Sequence, residues 1–176
     1  MEITFVYHPT TSVIILKNKM VYWFIGQPGA GKTILGKKLL SFLKTEKRNW
    51  RKSVFHLDGD DLRDLTINKD YSEQGRKNNI RNAQMIVEYI HNNNCDVVVS
   101  LVAPYRKLRE EFKKRIGYDN FQEFYLHCTD KRERDHFHTK DFQAPEIEFI
   151  DIDTTKDSPE TSFSKIINHL NQLNKI

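Results

Sequence analysis

The sequence predicts an α/β domain of three layers, with helices on both faces of a mostly parallel sheet, and three observations lead there. Residues 20–25 (MVYWFI) form an unbroken apolar, aromatic and β-branched run that stops at a glycine, the pattern of a strand buried on both faces. A glycine-rich turn follows at once, and an amphipathic segment follows the turn. Strand-like and helix-like segments then alternate along the chain, the order that gives right-handed crossovers onto a parallel sheet.

Residues 33–47 carry Ile34, Leu35, Leu39, Leu40 and Leu43 at helical spacing with Lys37, Lys38 and Lys44 opposite, so a helix with a wet basic face is expected. Residues 53–57 (SVFHL) predict a short strand running into 58–61 (DGDD), whose glycine and carboxylates predict a loop at the strand tip. A long helix is expected over 73–93, with Ile80, Ala83, Ile86, Val87 and Ile90 as its core stripe and an asparagine run as its stop. Residues 96–102 (DVVVSLV) predict another buried strand, ended by Ala103 and Pro104. A helix over 105–116 closed by Gly117, a strand over 121–126 and a last strand over 146–152 follow. The final helix opens near Asp157, Ser158 and Pro159, and its spacing buries Phe163, Ile166, Ile167, Leu170 and Leu173. Residues 129–145, rich in charge and histidine, predict a short helix leading into a lid. One domain over 1–176 is expected, with 1–19 as an N-terminal extension.

Composition narrows the function classes. At 38% hydrophobic and 30% charged residues the chain is neither disordered nor fibrous. The balance of 28 Lys+Arg against 24 Asp+Glu leaves a charge of +4, which suits small anionic ligands and does not require nucleic acid. The group Lys37, Lys38, Lys44, Lys47 and Arg48 has no interleaved aromatics and reads as a solvated helix face. No apolar run approaches the roughly 20 residues that span a bilayer, and no signal-peptide pattern opens the chain, so a cytoplasmic protein is expected. Cys95 and Cys128 make no disulfide framework, fit a reducing compartment and are expected to be packing residues.

The glycine-rich turn carries the chemistry. Gly26, Gln27, Pro28, Gly29, Ala30, Gly31, Lys32 and Thr33 match G-x-x-x-x-G-K-[ST] between a strand and a helix, where successive N–H groups and the helix N-terminus face phosphates. Lys32 is then expected to reach the β- and γ-phosphates of ATP, and Thr33 to offer its hydroxyl to Mg²⁺. The strand 96–102 ends without the aspartate that many ATPases place there, and the nearest carboxylates are Asp58, Asp60 and Asp61. A carboxylate at that place can orient metal-bound water or accept the proton of an attacking hydroxyl. His136 and His138 have no third ligand at metal spacing and are expected to be solvated.

These residues resemble the adenylyl-sulfate kinases, P-loop enzymes that phosphorylate the ribose 3′-hydroxyl of adenosine 5′-phosphosulfate with MgATP. The opening residues 4–8 (TFVYH) are similar to the family's first strand, and 22–26 (YWFIG) to its strand into the P-loop. Residues 57–63 (LDGDDLR) resemble the signature Leu-Asp-Gly-Asp-Asn-x-Arg. Tyr71 and Ser72, then Arg76 and 79–81 (NIR), resemble Phe-Ser followed by Arg and Asn-Ile-Arg, while 103–106 (APYR) resembles Ser-Pro-Tyr-Arg. Residues 142–145 (FQAP) and 152–154 (IDT) also look like family segments. The resemblance implies a three-layer α/β/α P-loop kinase fold, Lys32 and Asp58 as catalytic residues, and Thr33 and Asp58 toward the metal. It implies the P-loop residues and Arg134 on ATP, and Asp60, Arg63, Tyr71, Arg76, Asn79, Val102 and Ala103 on the acceptor nucleotide. Homodimers are common in the family. The chain departs from the pattern at Ala103, which lacks the usual hydroxyl, and in a shorter lid without the family's Asp-x-Lys-Gly-Leu-Tyr and Phe-Thr-Gly segments. Lys131, Arg132, Arg134 and Lys140 can replace the lid lysine electrostatically. A kinase for another acceptor (a modified nucleoside, a polynucleotide end or a sugar) or a non-catalytic nucleotide-binding protein are the alternatives.

Overall fold

A computed structural model describes residues 19–45, 53–130 and 138–176. The expected strand at 4–8, the solvated Lys47 and Arg48, and Lys131, Arg132, Arg134 and His136 lie outside the described residues.

Among the described residues five strands are formed: β1 (Val21–Gly26), β2 (Val54–Asp58), β3 (Asp96–Ser100), β4 (Phe121–His127) and β5 (Phe149–Asp153). They lie in the order β2-β3-β1-β4-β5 and every pairing is parallel, with Val21 opposite Val97 on one side and Phe121 on the other. The helices are α1 (Lys32–Thr45), α2 (Gly59–Leu65), α3 (Glu73–Asn92), α4 (Arg106–Ile116) and α5 (Pro159–Gln172).

The two-residue period of the strands divides the core into two. Tyr22, Phe24, Val98, Phe124, Leu126 and Ile152 form one face and pack with Leu35, Leu39 and Leu43 of α1 and Ile166 and Leu170 of α5. Val21, Trp23, Ile25, Val97 and Val99 form the other and pack with Leu62, Ile80, Val87 and Phe112 from the remaining helices. Trp23 lies 5.3 Å from Phe112 and 6.0 Å from Phe121 between ring centroids, contacts that contribute about 0.5–1.5 kcal/mol each beyond burial. This is the expected three-layer α/β/α arrangement with a parallel central sheet.

Four local expectations are corrected. Residues 58–61 are no loop: Asp58 caps α2, its Oδ1 accepting the Asp60 N–H at 3.0 Å, so carboxylates in the first turn meet the positive helix end. The last strand starts at Phe149, not at residue 146. Ile34 is 53% exposed because it stands at the first turn of α1, where that helix overhangs the sheet's end and borders the cleft. Leu173 is 51% exposed because α5 stops at Gln172 and leaves it beyond the buried stripe. Cys95 and Cys128 are half-buried, and neither is in a disulfide among the described residues.

One buried polar cluster shapes the site from behind. Glu123 of β4 is fully buried and takes Arg109 Nε at 2.8 Å and Lys113 Nζ at 2.7 Å, both from α4. The same guanidinium donates to the carbonyls of Ala103 and Gln143, each at 2.7 Å. Such a cluster is tolerated only when its donors and acceptors are nearly all used. No helix among the described residues is long and apolar enough to cross a membrane.

Candidate active site

The strand order reverses direction around β1, with α1 leading to one side and the later crossovers to the other, and a cleft opens outside the carboxyl ends of the strands at this point. Its volume is about 700 Å³, and it is lined on one side by the P-loop and on the other by α2, the start of α3 and residues 100–104.

The P-loop leaves β1 through Gly26, whose φ of 144° and close approach to Leu126 admit no side chain: an added Cβ would stand 2.1 Å from the Leu126 carbonyl oxygen. Gly29 and Gly31 also have positive φ, at 86° and 92°, and turn the chain into α1. Lys32 is buried and donates to the Gln27 carbonyl at 2.7 Å. Thr33 Oγ1 donates to Asp58 Oδ2 at 2.7 Å, so one carboxylate caps α2 with one oxygen and meets the P-loop hydroxyl with the other. Two residues absent from the sequence reading complete this side. Ser100, at the tip of β3 where an aspartate is missing, donates to the Lys32 carbonyl at 3.1 Å and lies 3.0 Å from His56 Nε2. Gly36 permits that approach, since a Cβ there would fall 2.4 Å from Ser100 Oγ. Burial draws the His56 imidazole below its ordinary pKa, with Asp58 opposing and Lys37 assisting.

Across the cleft, Arg63 is buried on α2 and donates to the carbonyls of Asn68 at 3.1 Å and Asp70 at 2.9 Å. Its guanidinium carbon stands 4.2 Å from the centre of the Tyr71 ring. Arg76 Nε donates to the Tyr71 carbonyl at 3.0 Å, and Ser72 caps α3 by accepting the Gly75 N–H. Asn79, one turn beyond Arg76, is 3% exposed, lines the cleft and keeps a buried Oδ1 with no hydrogen-bond partner among the described residues. Val102 and Ala103 form part of the same wall, with Ala103 at a φ of 41°. Asp60 is exposed at the rim.

The structure therefore gathers Pro28, Gly29, Gly31, Lys32, Thr33, Asp58, Asp60, Arg63, Tyr71, Arg76, Asn79, Val102 and Ala103 around one cleft. Gly26, Gln27 and Ala30 shape the loop without lining the cleft: the Ala30 carbonyl accepts from Thr154 Oγ1, and the Gln27 side chain bonds Thr139. Arg134 falls outside the described residues.

Residues 18–162 match the family model described as adenylylsulphate kinase. The chain belongs to the adenylylsulphate kinase family. It is 30% identical over 169 residues to the adenylyl-sulfate kinase of Halothermothrix orenii, covering 85% of this chain and 88% of the relative. It is 24% identical over 147 residues to the cytidine diphosphoramidate kinase of Campylobacter jejuni, covering 81% of this chain and 83% of that protein. Among solved structures, the APS kinase of Mycobacterium tuberculosis in complex with AMPPNP and APS has the same fold, with a TM-score of 0.73 at 18% identity over 89% of this chain and 99% of that one. Family membership makes this protein a P-loop kinase.

Ser100, His56 and Arg109 were not legible as site residues, since none belongs to a pattern with a phosphate or nucleotide task. Only the pairing of β3 beside β1 brings Ser100 under the P-loop.

Proposed function

We propose that the protein transfers the γ-phosphoryl group of MgATP to the ribose 3′-hydroxyl of adenosine 5′-phosphosulfate. The observation that carries this reading is the pairing, across a single cleft, of the P-loop with a wall that holds Arg63, Tyr71, Arg76 and a buried Asn79 oxygen without a partner among the described residues. An aromatic face suits the acceptor base, and forked guanidinium donors suit its phosphosulfate. Lys32 and the loop amides hold the β- and γ-phosphates in line with the hydroxyl. The Thr33 hydroxyl and Asp58 carboxylate form an all-oxygen pair that fits Mg²⁺, which when bound would neutralise charge on the bridging phosphates. Asp58 is also the carboxylate placed to accept the hydroxyl proton as the new P–O bond forms and ADP leaves.

A second reading keeps the transfer and changes the acceptor to a related nucleotide conjugate. The Campylobacter jejuni relative and the missing hydroxyl at Ala103 favour it. Initial rates of ADP release with adenosine 5′-phosphosulfate, cytidine diphosphoramidate, nucleosides and oligonucleotides separate the two. The highest kcat/KM is expected with adenosine 5′-phosphosulfate, and absence of turnover with it alone transfers the assignment.

A further inference from the structure

Residues 138–146 run from the P-loop to the acceptor wall and are fastened at both ends. At the acceptor end the Gln143 N–H donates to the Pro104 carbonyl at 2.9 Å, Arg109 donates to the Gln143 carbonyl, and Arg106 Nε donates to the Ala144 carbonyl at 2.7 Å. At the P-loop end the Gln27 side chain makes a two-point contact. Gln27 Nε2 donates to the Thr139 carbonyl at 2.8 Å, and Gln27 Oε1 accepts the Thr139 N–H at 2.9 Å. A carboxamide alone supplies donor and acceptor in this arrangement, and both halves are used on one residue's main chain, as between paired strands. His138 Nε2 lies 3.1 Å from the Pro28 carbonyl oxygen, so consecutive residues meet consecutive residues.

The phosphate-binding pattern asks nothing of the side chain at position 27, which is one of its four free positions. That side chain nevertheless sets the plane of a residue whose own carbonyl receives Lys32 Nζ at 2.7 Å. We propose that Gln27 is a positioning residue for the donor nucleotide: its carboxamide clips residues 138–139 to the P-loop bend and holds the loop in its phosphate-receiving shape before ATP arrives. Without the clip, residues 27–29 must be ordered at the expense of binding. The inference rests on the proposed function only in taking ATP as the ligand of the loop.

The test is calorimetric titration of MgADP into the full chain, with steady-state kinetics alongside. Gln27→Leu preserves bulk and removes both hydrogen bonds, and the loss of two neutral bonds is expected to weaken MgADP and to raise the KM for ATP about five- to tenfold. The kcat at saturating ATP and the KM for the acceptor stay within about twofold, since the acceptor wall has its own fastening. Gln27→Glu, nearly isosteric, keeps the acceptor for the Thr139 N–H but sets a carboxylate oxygen against the Thr139 carbonyl, and is expected to weaken MgADP at least as much. Hydrogen exchange of peptides covering 138–145 should quicken in both variants. MgADP affinity within twofold of the parent in both variants, or equal losses for donor and acceptor, overturns the proposal. The titration needs no turnover, so failure of the acceptor assignment leaves this result standing, and the converse also holds.

Discussion

On the proposed donor side of the cleft, Lys32, Thr33 and Asp58 are held by one another and by the main chain of the loop, and Ser100 secures the first residue of α1 from below. On the proposed acceptor side, Arg63 and Arg76 are anchored to carbonyls of the segment between α2 and α3, and Asn79 keeps a buried oxygen with no partner among the described residues. The first arrangement is preorganised for a ligand whose phosphates are always the same. The second fixes the cations but leaves hydrogen-bonding capacity unspent, which is what an acceptor-specific wall requires, because an unmatched buried polar group penalises the wrong occupant.

Substitutions can sharpen this contrast. The largest effect is expected from Lys32→Ala, which removes charge stabilisation aimed at the transferring group and should lower kcat on the order of 10²–10³-fold with the fold intact by circular dichroism. Wild-type turnover would remove the P-loop from the mechanism. Asp58→Asn keeps the shape and should lower kcat about 10²-fold while ATP affinity changes little; steady-state kinetics with each substrate varied would show whether rate alone responds. Arg76→Ala should act on the other side, weakening adenosine 5′-phosphosulfate about tenfold in titrations of the ADP-bound protein and leaving ADP itself nearly untouched. Equal effects on both ligands would erase the division between the two walls.

The smallest expected effect is on stability. His56 and His91 are both drawn below the ordinary histidine value of 6.5, chiefly by burial. The folded state then binds fewer protons than the unfolded chain, so stability is fully present above 6.5 and declines as pH falls from there toward the depressed folded values. Melting temperature followed across that window should show the decline, and His56→Gln should flatten it; an unchanged slope would leave His56 out of the balance.

Much of the fold could be read directly, because the strands of a doubly covered parallel sheet are continuous apolar runs and 20–25 and 96–102 stand out, although the second strand stops at Ser100. The P-loop turn between β1 and α1 was legible for a related reason: it is local in sequence. Less of the acceptor side could be derived from spacing, since Arg63, Tyr71 and Arg76 converge through the loop at 66–72, and only the family resemblance pointed to them. Arg109, Lys113 and Glu123 were invisible because helical periodicity assigns charged residues to solvent, and only the strand order places Glu123 where two cations can reach it. Asp58 was read as part of a turn, since a cap and a turn share the same residue types.

Arg109 grips Ala103 and Gln143 by their carbonyl oxygens and never by their side chains. The curvature of that wall is consequently independent of which small residue occupies position 103. A lineage carrying this scaffold can exchange the hydroxyl of serine for the methyl of alanine without first rebuilding the architecture that presents position 103.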